Sequence, residues 1–507
     1  MPRLRPRRSL LLVALAGWAC GDDVPSTTPD GSTGSTTSDS TTGGTTSSPT
    51  GPTTTTTPPA TGDSTDGGSE DTGFDPPEPS CGNGFVEADE ECDDANDDDD
   101  DACSNACTVP CGLQWSETVL GPTQDSLIEG RSVARDDADQ IVLSGLLREI
   151  TTQMDGTPLV GDDTVLVQAH MPGGGLVWEQ VLGDPEGDAR PAGVAVDGVG
   201  DVYVASTVDA SDGGTAIRVT KLAAADGDPL WIHDFDGPIG GEDEIASGIA
   251  VGPDGQPVVS GQVRAGDGDD DVWVRKLQAA DGTEVWTETY SGVGSGGFST
   301  DDGGPVAIGA DGSVFVLSRI YEDFQTNRGT LLRFGPDGGL PTWTFTPVIG
   351  GTDQTFTLEA LTVAADGGPL MAVSRVDGAD VSFWLYKLDD AGSEQWLRTG
   401  DDFEVADQGS DWILEGLATT GDELVVLGRY RNDTRMAGLS WWEPWVSRLD
   451  AAGTTRCQVL YQAPFEGLLP TSVLAFGVAT ASDGSALATG IQDSADESVL
   501  WLGSFRD

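Results

Sequence analysis

The sequence predicts an all-β protein whose folded part is a seven-bladed β-propeller, and three observations carry that expectation. A short apolar segment recurs seven times after residue 112: Ser132-Val133-Ala134, Gly193-Val194-Ala195, Gly248-Ile249-Ala250, Pro305-Val306-Ala307, Ala360-Leu361-Thr362, Gly416-Leu417-Ala418 and Gly477-Val478-Ala479. Successive copies lie 55 to 61 residues apart, a period that marks a repeat architecture. Within a period the chain reads as four short β-rich runs separated by Gly/Asp clusters, as in the runs starting at Gly193, Asp201, Ala216 and Asp228. Four antiparallel strands per unit make a propeller blade, and helical periodicity is absent from this part.

In chain order, residues 1–19 read as a signal peptide. Arg3, Arg5, Arg7 and Arg8 form a positive start, followed by an apolar stretch that is too short for a stable membrane span. The stretch ends in Gly17-Trp18-Ala19-Cys20, which resembles a bacterial lipoprotein signal. That resemblance implies that Cys20 is lipidated and becomes the first residue of the mature chain. Ala14-Leu15-Ala16 also suits an ordinary signal peptidase, which leaves plain secretion as the alternative. Residues 20–80 are almost entirely Ser, Thr, Gly, Pro and Asp and have too little apolar side chain to build a core. They are expected to be a disordered stalk, with Ser/Thr/Pro runs suited to O-glycosylation.

Residues 81–111 carry a compact cysteine unit, with Cys81, Cys92, Cys103 and Cys107 spaced through Gly-, Glu- and Asp-rich sequence. This unit resembles the Myxococcus-type cysteine-rich repeat, the DUF4215-like family, and departs from its pattern at Ala95. In an exported protein these four cysteines are expected as disulfides whose pairing the sequence leaves open, and so small a module depends on such staples. Asp93, Asp94, Asn96, Asp98 and Asp101 are the metal candidates, and oxygen ligands of this kind suit calcium. The run lacks the Gly and Glu of an EF-hand, and a solvated acidic face is the plainer reading. Asp267, Asp269, Asp270 and Asp271 form a second, weaker candidate.

Residues 112–507 are the propeller. A cationic column recurs ahead of a Trp column: Lys221 before Trp231, Lys276 before Trp286, Arg333 before Trp343, Lys387 before Trp396, and His170 before Trp178. In the sixth unit Arg448 precedes Cys457, a cysteine where Trp is expected. The cations are expected to cover a strand face with their heads in water, the alternative being a ring of ligand contacts. The Trp column is expected to pack between blades. The seventh unit has no fourth strand after Trp501, and residues 113–119 are expected to supply it and close the ring. Cys111 and Cys457 either pair at this closure, or Cys457 is a buried Trp substitute and Cys111 belongs to the small module; the second is the expectation. The segment from Asp271 to Trp286 resembles the SBBP-type bacterial propeller repeat, and its Gly-to-Trp part the PQQ-like repeat. Together these features resemble a myxobacterial-type surface lipoprotein.

Charge narrows the partners. With 85 acidic and 25 basic side chains the net charge is −60, which disfavours nucleic acid and anionic lipid. The two histidines, His170 and His233, fall in different units and supply neither a triad nor a His-rich metal site. Asp301-Asp302 and Asp401-Asp402 are acidic pairs of the kind used in hydrolysis, but such neighbours are commonplace in this chain. The expected function is therefore non-catalytic: a protein of the outer membrane or cell surface, held by its lipid, that binds an extracellular glycan, polymer or envelope protein. No catalytic residue and no cofactor beyond calcium is expected. A structural component of the envelope, or a quinoprotein or polysaccharide-acting enzyme, are the alternatives.

Overall fold

Seven four-stranded antiparallel sheets form a seven-bladed β-propeller in the computed structural model. The structure describes residues 111–506 apart from 121–125, 153–157, 185–186, 265–268, 293–300, 322–326, 348–354, 378–379, 404–411, 433–440, 462–470 and 494–497. The expected signal peptide, Cys20, the stalk, Cys81, Cys92, Cys103, Cys107 and the acidic positions Asp93, Asp94, Asn96, Asp98 and Asp101 lie outside the described residues.

Every recurring apolar segment falls on the first strand of its blade. These strands are Leu127–Arg135, Ala189–Val196, Ile245–Val251, Asp302–Ile308, Thr355–Val363, Trp412–Thr420 and Ser472–Thr480. Each touches the first strand of the next blade, and the last touches the first, so the seven surround a central axis. Small residues recur here because the strands converge. A Cβ on Gly477 would lie 2.9 Å from the Ser132 Cα of the adjoining blade.

Burial follows position in the blade. Middle strands such as Val202–Asp209 are buried on both faces, because each face packs on a neighbouring blade. Thus Val142, Val165 and Val167 of the first blade pack with Val194, Val202 and Val204 of the second. Burying each such side chain contributes about 1.5–3 kcal/mol. Outer strands such as Pro229–Phe235 alternate exposed and half-buried residues, since only one face has a neighbour.

Ring closure follows the sequence expectation. Leu113–Val119 is the outermost strand of the seventh blade, paired antiparallel to Ser498–Phe505 with Leu113 opposite Phe505 and Val119 opposite Leu500. The expectation for the last two cysteines is corrected. Cys111 and Cys457 form a disulfide, with Cα atoms 6.0 Å apart, that joins the closing strand to the sixth blade. Cys457 takes its Trp-column place opposite Arg448, but its partner comes from the one blade whose outer strand arrives from the other end of the chain.

Candidate functional site

The turns between first and second strands hold the cationic column. In the second blade, Asp197 accepts hydrogen bonds from the N–H groups of Val199 and Asp201, which fixes a tight turn beside Lys221. Lys221 Nζ lies 2.8 Å from Asp201 and donates to the Ala279 carbonyl of the next blade at 3.2 Å. Lys276 pairs with Asp254 at 2.6 Å, Lys387 with Asp366 at 2.5 Å, and Arg333 with Asp311 and Asp390 at 3.2 and 3.0 Å. Arg448 donates to the carbonyls of Gly484 and Arg506. The expectation of wet heads is corrected: the Lys221, Lys276 and Lys387 side chains are 8, 7 and 5 % exposed. A buried ammonium needs a counter-charge and acceptors, and the Asp of the blade's own turn supplies them. These cations are structural, engaged within the ring.

The other sequence candidates are also absorbed by the fold. His170 is buried beside Gln168, and burial lowers its pKa against the opposing pull of Glu117 and Glu179. His233 packs between Trp231 and Phe235. Asp301 is fully buried and accepts N–H bonds from Gly292 and Tyr321, while Asp302 pairs with Arg319. Asp402 accepts the Thr399 N–H at 2.7 Å in a short 3-10 turn. Asp270 of the second calcium candidate is held by Arg264 at 2.8 Å, and Asp267 lies outside the described residues. Among the described residues no three His, Cys, Asp or Glu side chains are placed to hold a metal ion.

The strongest candidate site lies where the first strands converge around the central axis. Each first strand carries a register shift immediately before its recurring segment. Such bulges re-aim one side chain out of the ladder. The residues at the shift are Arg131, Ala192, Ser247, Gly304 with Pro305, Glu359, Glu415 and Phe476. Blades two to four thus contribute small residues, and blades five, six, seven and one contribute large ones. The large ones meet. The Arg131 guanidinium lies 4.8 Å from the Phe476 ring centre, and Arg429 lies 5.8 Å from the same ring. Arg429 also sits 5.0 Å over Trp442 and pairs with Glu415 at 2.7 Å. Thr357 donates to Glu359 at 2.5 Å, and Glu129 pairs with Arg131.

Electrostatics single out the two carboxyl groups. Burial pushes Glu415 up to about 8; Arg429 and Arg131 oppose the shift and neighbouring Glu359 adds to it. Burial likewise raises Glu359, against Thr357, Ser374 and Arg429. The cluster thus brings two carboxyl groups, two guanidinium groups and the Phe476 ring together where the first strands of four blades converge. Sequence reasoning passed over these positions. A signal was there: the residue before each recurring segment is the one the period leaves unconstrained.

Residues 77–108 match the family model described as a domain of unknown function, DUF4215, in agreement with the expected cysteine-rich repeat. No curated protein matches the chain. Among solved structures, quinohemoprotein alcohol dehydrogenase ADHIIG from Pseudomonas putida HK5 is similar over 78 % of this chain and 76 % of its own, at 14 % identity and a TM-score of 0.39. The quinohemoprotein alcohol dehydrogenase of Comamonas testosteroni is similar over the same shares, at 13 % identity and a TM-score of 0.37. A protein of unknown function from Dyadobacter fermentans DSM 18053 is similar over 78 % of this chain and 98 % of its own, at 10 % identity and a TM-score of 0.40. At similarities this low, the chemistry of those proteins does not transfer to this chain.

Proposed function

We propose that this chain is an exported, lipid-anchored cell-surface protein whose propeller binds an extracellular glycan, polymer or protein without transforming it. The observation that supports this reading most is the cluster of Arg131, Phe476, Arg429, Glu415 and Glu359, gathered from four consecutive blades. An aromatic face with a few convergent polar groups suits an oriented, polyhydroxylated ligand. The lipoprotein-like start at Cys20, the stalk and the cysteine module would hold this face away from the membrane, with calcium at the acidic run of that module.

A hydrolytic reading draws on the same cluster, because Glu415, whose pKa burial pushes up to about 8, neighbours a second carboxyl group, Glu359, and glycoside hydrolysis uses a pair of carboxyl groups. One experiment separates the two. The full exported chain is passed over an immobilised glycan panel and solubilised envelope proteins, with calcium or with EDTA, while soluble polysaccharide is assayed for new reducing ends. Saturable retention that F476A and R131A abolish, with no reducing ends, is the expected result. Retention unaffected by both variants would move the site elsewhere, and reducing ends lost in E415Q would make the chain an enzyme.

A further inference from the structure

The outer strands dock blade to blade in one repeated way. The indole N–H groups of Trp178, Trp231, Trp286, Trp343 and Trp396 donate to the carbonyls of Ala224, Ala279, Pro336, Asp390 and Ala451, at 3.0–3.2 Å. Each acceptor lies in the turn between the third and fourth strands of the following blade. In each turn a glycine (Gly227, Gly282, Gly338, Gly392 or Gly453) has φ between 69° and 82° and its Cα lies against that indole. A Cβ there would come within 2.5–3.0 Å of the ring. Trp115 of the closing strand lies beside Gly174 of the first blade in looser contact, 3.8 Å from where a Cβ would stand. Six of the seven junctions therefore place a Trp beside a turn glycine, five of them with the indole hydrogen bond.

The seventh junction, from the sixth blade to the last, is the exception. The last blade has no turn at this point, because its third strand ends at Phe505 and its fourth begins at Leu113. Cys457 occupies the Trp position of the sixth blade. Cys111 precedes Trp115 by four residues, as Gly453 precedes Cys457, and it has the positive φ of a turn glycine, 59°. The Arg506 N–H donates to the Gly112 carbonyl at 2.9 Å, joining the two chain segments where a turn would.

We propose that the Cys111–Cys457 disulfide is the seventh copy of the Trp–Gly dock in covalent form, and that the ring fastens only where the two thiols are oxidised. A non-covalent dock suffices where the turn is one continuous chain. Where the turn is split between distant segments, holding the closing strand costs far more chain entropy, and a cross-link spanning 346 residues offsets that cost. Fastening transfers two electrons and two protons from the thiols to an oxidant of the disulfide class, which leaves as a dithiol. The chain would therefore stay unclasped in a reducing cytoplasm and clasp after export.

The test is hydrogen exchange on four full-length forms: the oxidised chain, the chain kept reduced from synthesis onward, C111A/C457A and C111G/C457W. Amides of Leu113–Val119 should exchange at least about tenfold faster in the reduced chain and in C111A/C457A, with the middle blades unchanged. These two forms should also melt about 5 °C lower. C111G/C457W should recover protection of that strand, whether or not reductant is present. Unchanged exchange in C111A/C457A would overturn the clasp. Exchange in C111G/C457W as fast as in C111A/C457A would overturn the equivalence with the Trp–Gly dock.

Discussion

The Trp–Gly dock makes a sharp prediction through two glycines of one blade. Gly367 and Gly392 sit in two tight turns of the fifth blade, the first and the last, with nearly identical φ, 83° and 82°. Each donates its N–H across its own turn at 2.9 Å, to Ala364 and Asp389 respectively. A Cβ on Gly367 meets nothing within 4 Å, whereas one on Gly392 would lie 2.9 Å from Trp343 Cδ2. Gly367→Ala therefore isolates the cost of positive φ, about 1 kcal/mol. Gly392→Ala carries the same cost plus displacement of the indole and strain on its bond to Asp390, about 2 kcal/mol more. Over about 400 folded residues each kcal/mol lowers the melting temperature by about 1 °C, so shifts of about 1 °C and 3 °C are expected. Calorimetry on both variants, and on each combined with Trp343→Ala, completes a double-mutant cycle. Equal shifts for the two glycines, or a difference that survives removal of Trp343, would refute the dock.

The remaining predictions concern charge and closure. Lys387 is 5 % exposed and its partner Asp366 is 66 % exposed, so the pair should respond unequally to substitution. Lys387→Met leaves a solvated carboxylate and should cost under about 1 kcal/mol, whereas Asp366→Ala strands a buried ammonium and should cost about 2 kcal/mol; urea denaturation giving the reverse order would contradict the buried-cation reading. Glu415 has its folded pKa raised from 4.5 to about 8, so its contribution to stability is complete below pH 4.5 and is lost as pH rises through 8. Glu415→Gln should therefore melt progressively higher than the parent from pH 5 to 9, and parallel melting curves would contradict the burial argument. Removing Leu113–Val119 exposes the edge of Ser498–Phe505, and sedimentation should then detect concentration-dependent association that the complete chain lacks.

Much of this architecture was legible in the primary structure because propeller blades repeat. The segments from Ser132 to Gly477 all fell on first strands, and residues 113–119 became the closing strand, since period and strand alternation are local properties. The cluster near the axis was less legible. Arg131, Glu359, Glu415 and Phe476 are far apart in the chain, and only the convergence of four bulged strands brings them together. The cation column was visible as a pattern, but its environment was not: whether Lys221 lies in water or beside Asp201 depends on how the neighbouring blade covers it. The cysteine pair was misjudged because Cys111 and Cys457 become neighbours only when the ring closes.

The sequence by itself determined the number of blades, the strand that closes them, the acidic character of the chain and its cysteine-rich and low-complexity leader, all of which depend on spacing and composition. Tertiary structure decided which charges are buried, which side chains meet near the axis and which junction is covalent. Those outcomes depend on distances between residues that only closure of the ring makes short.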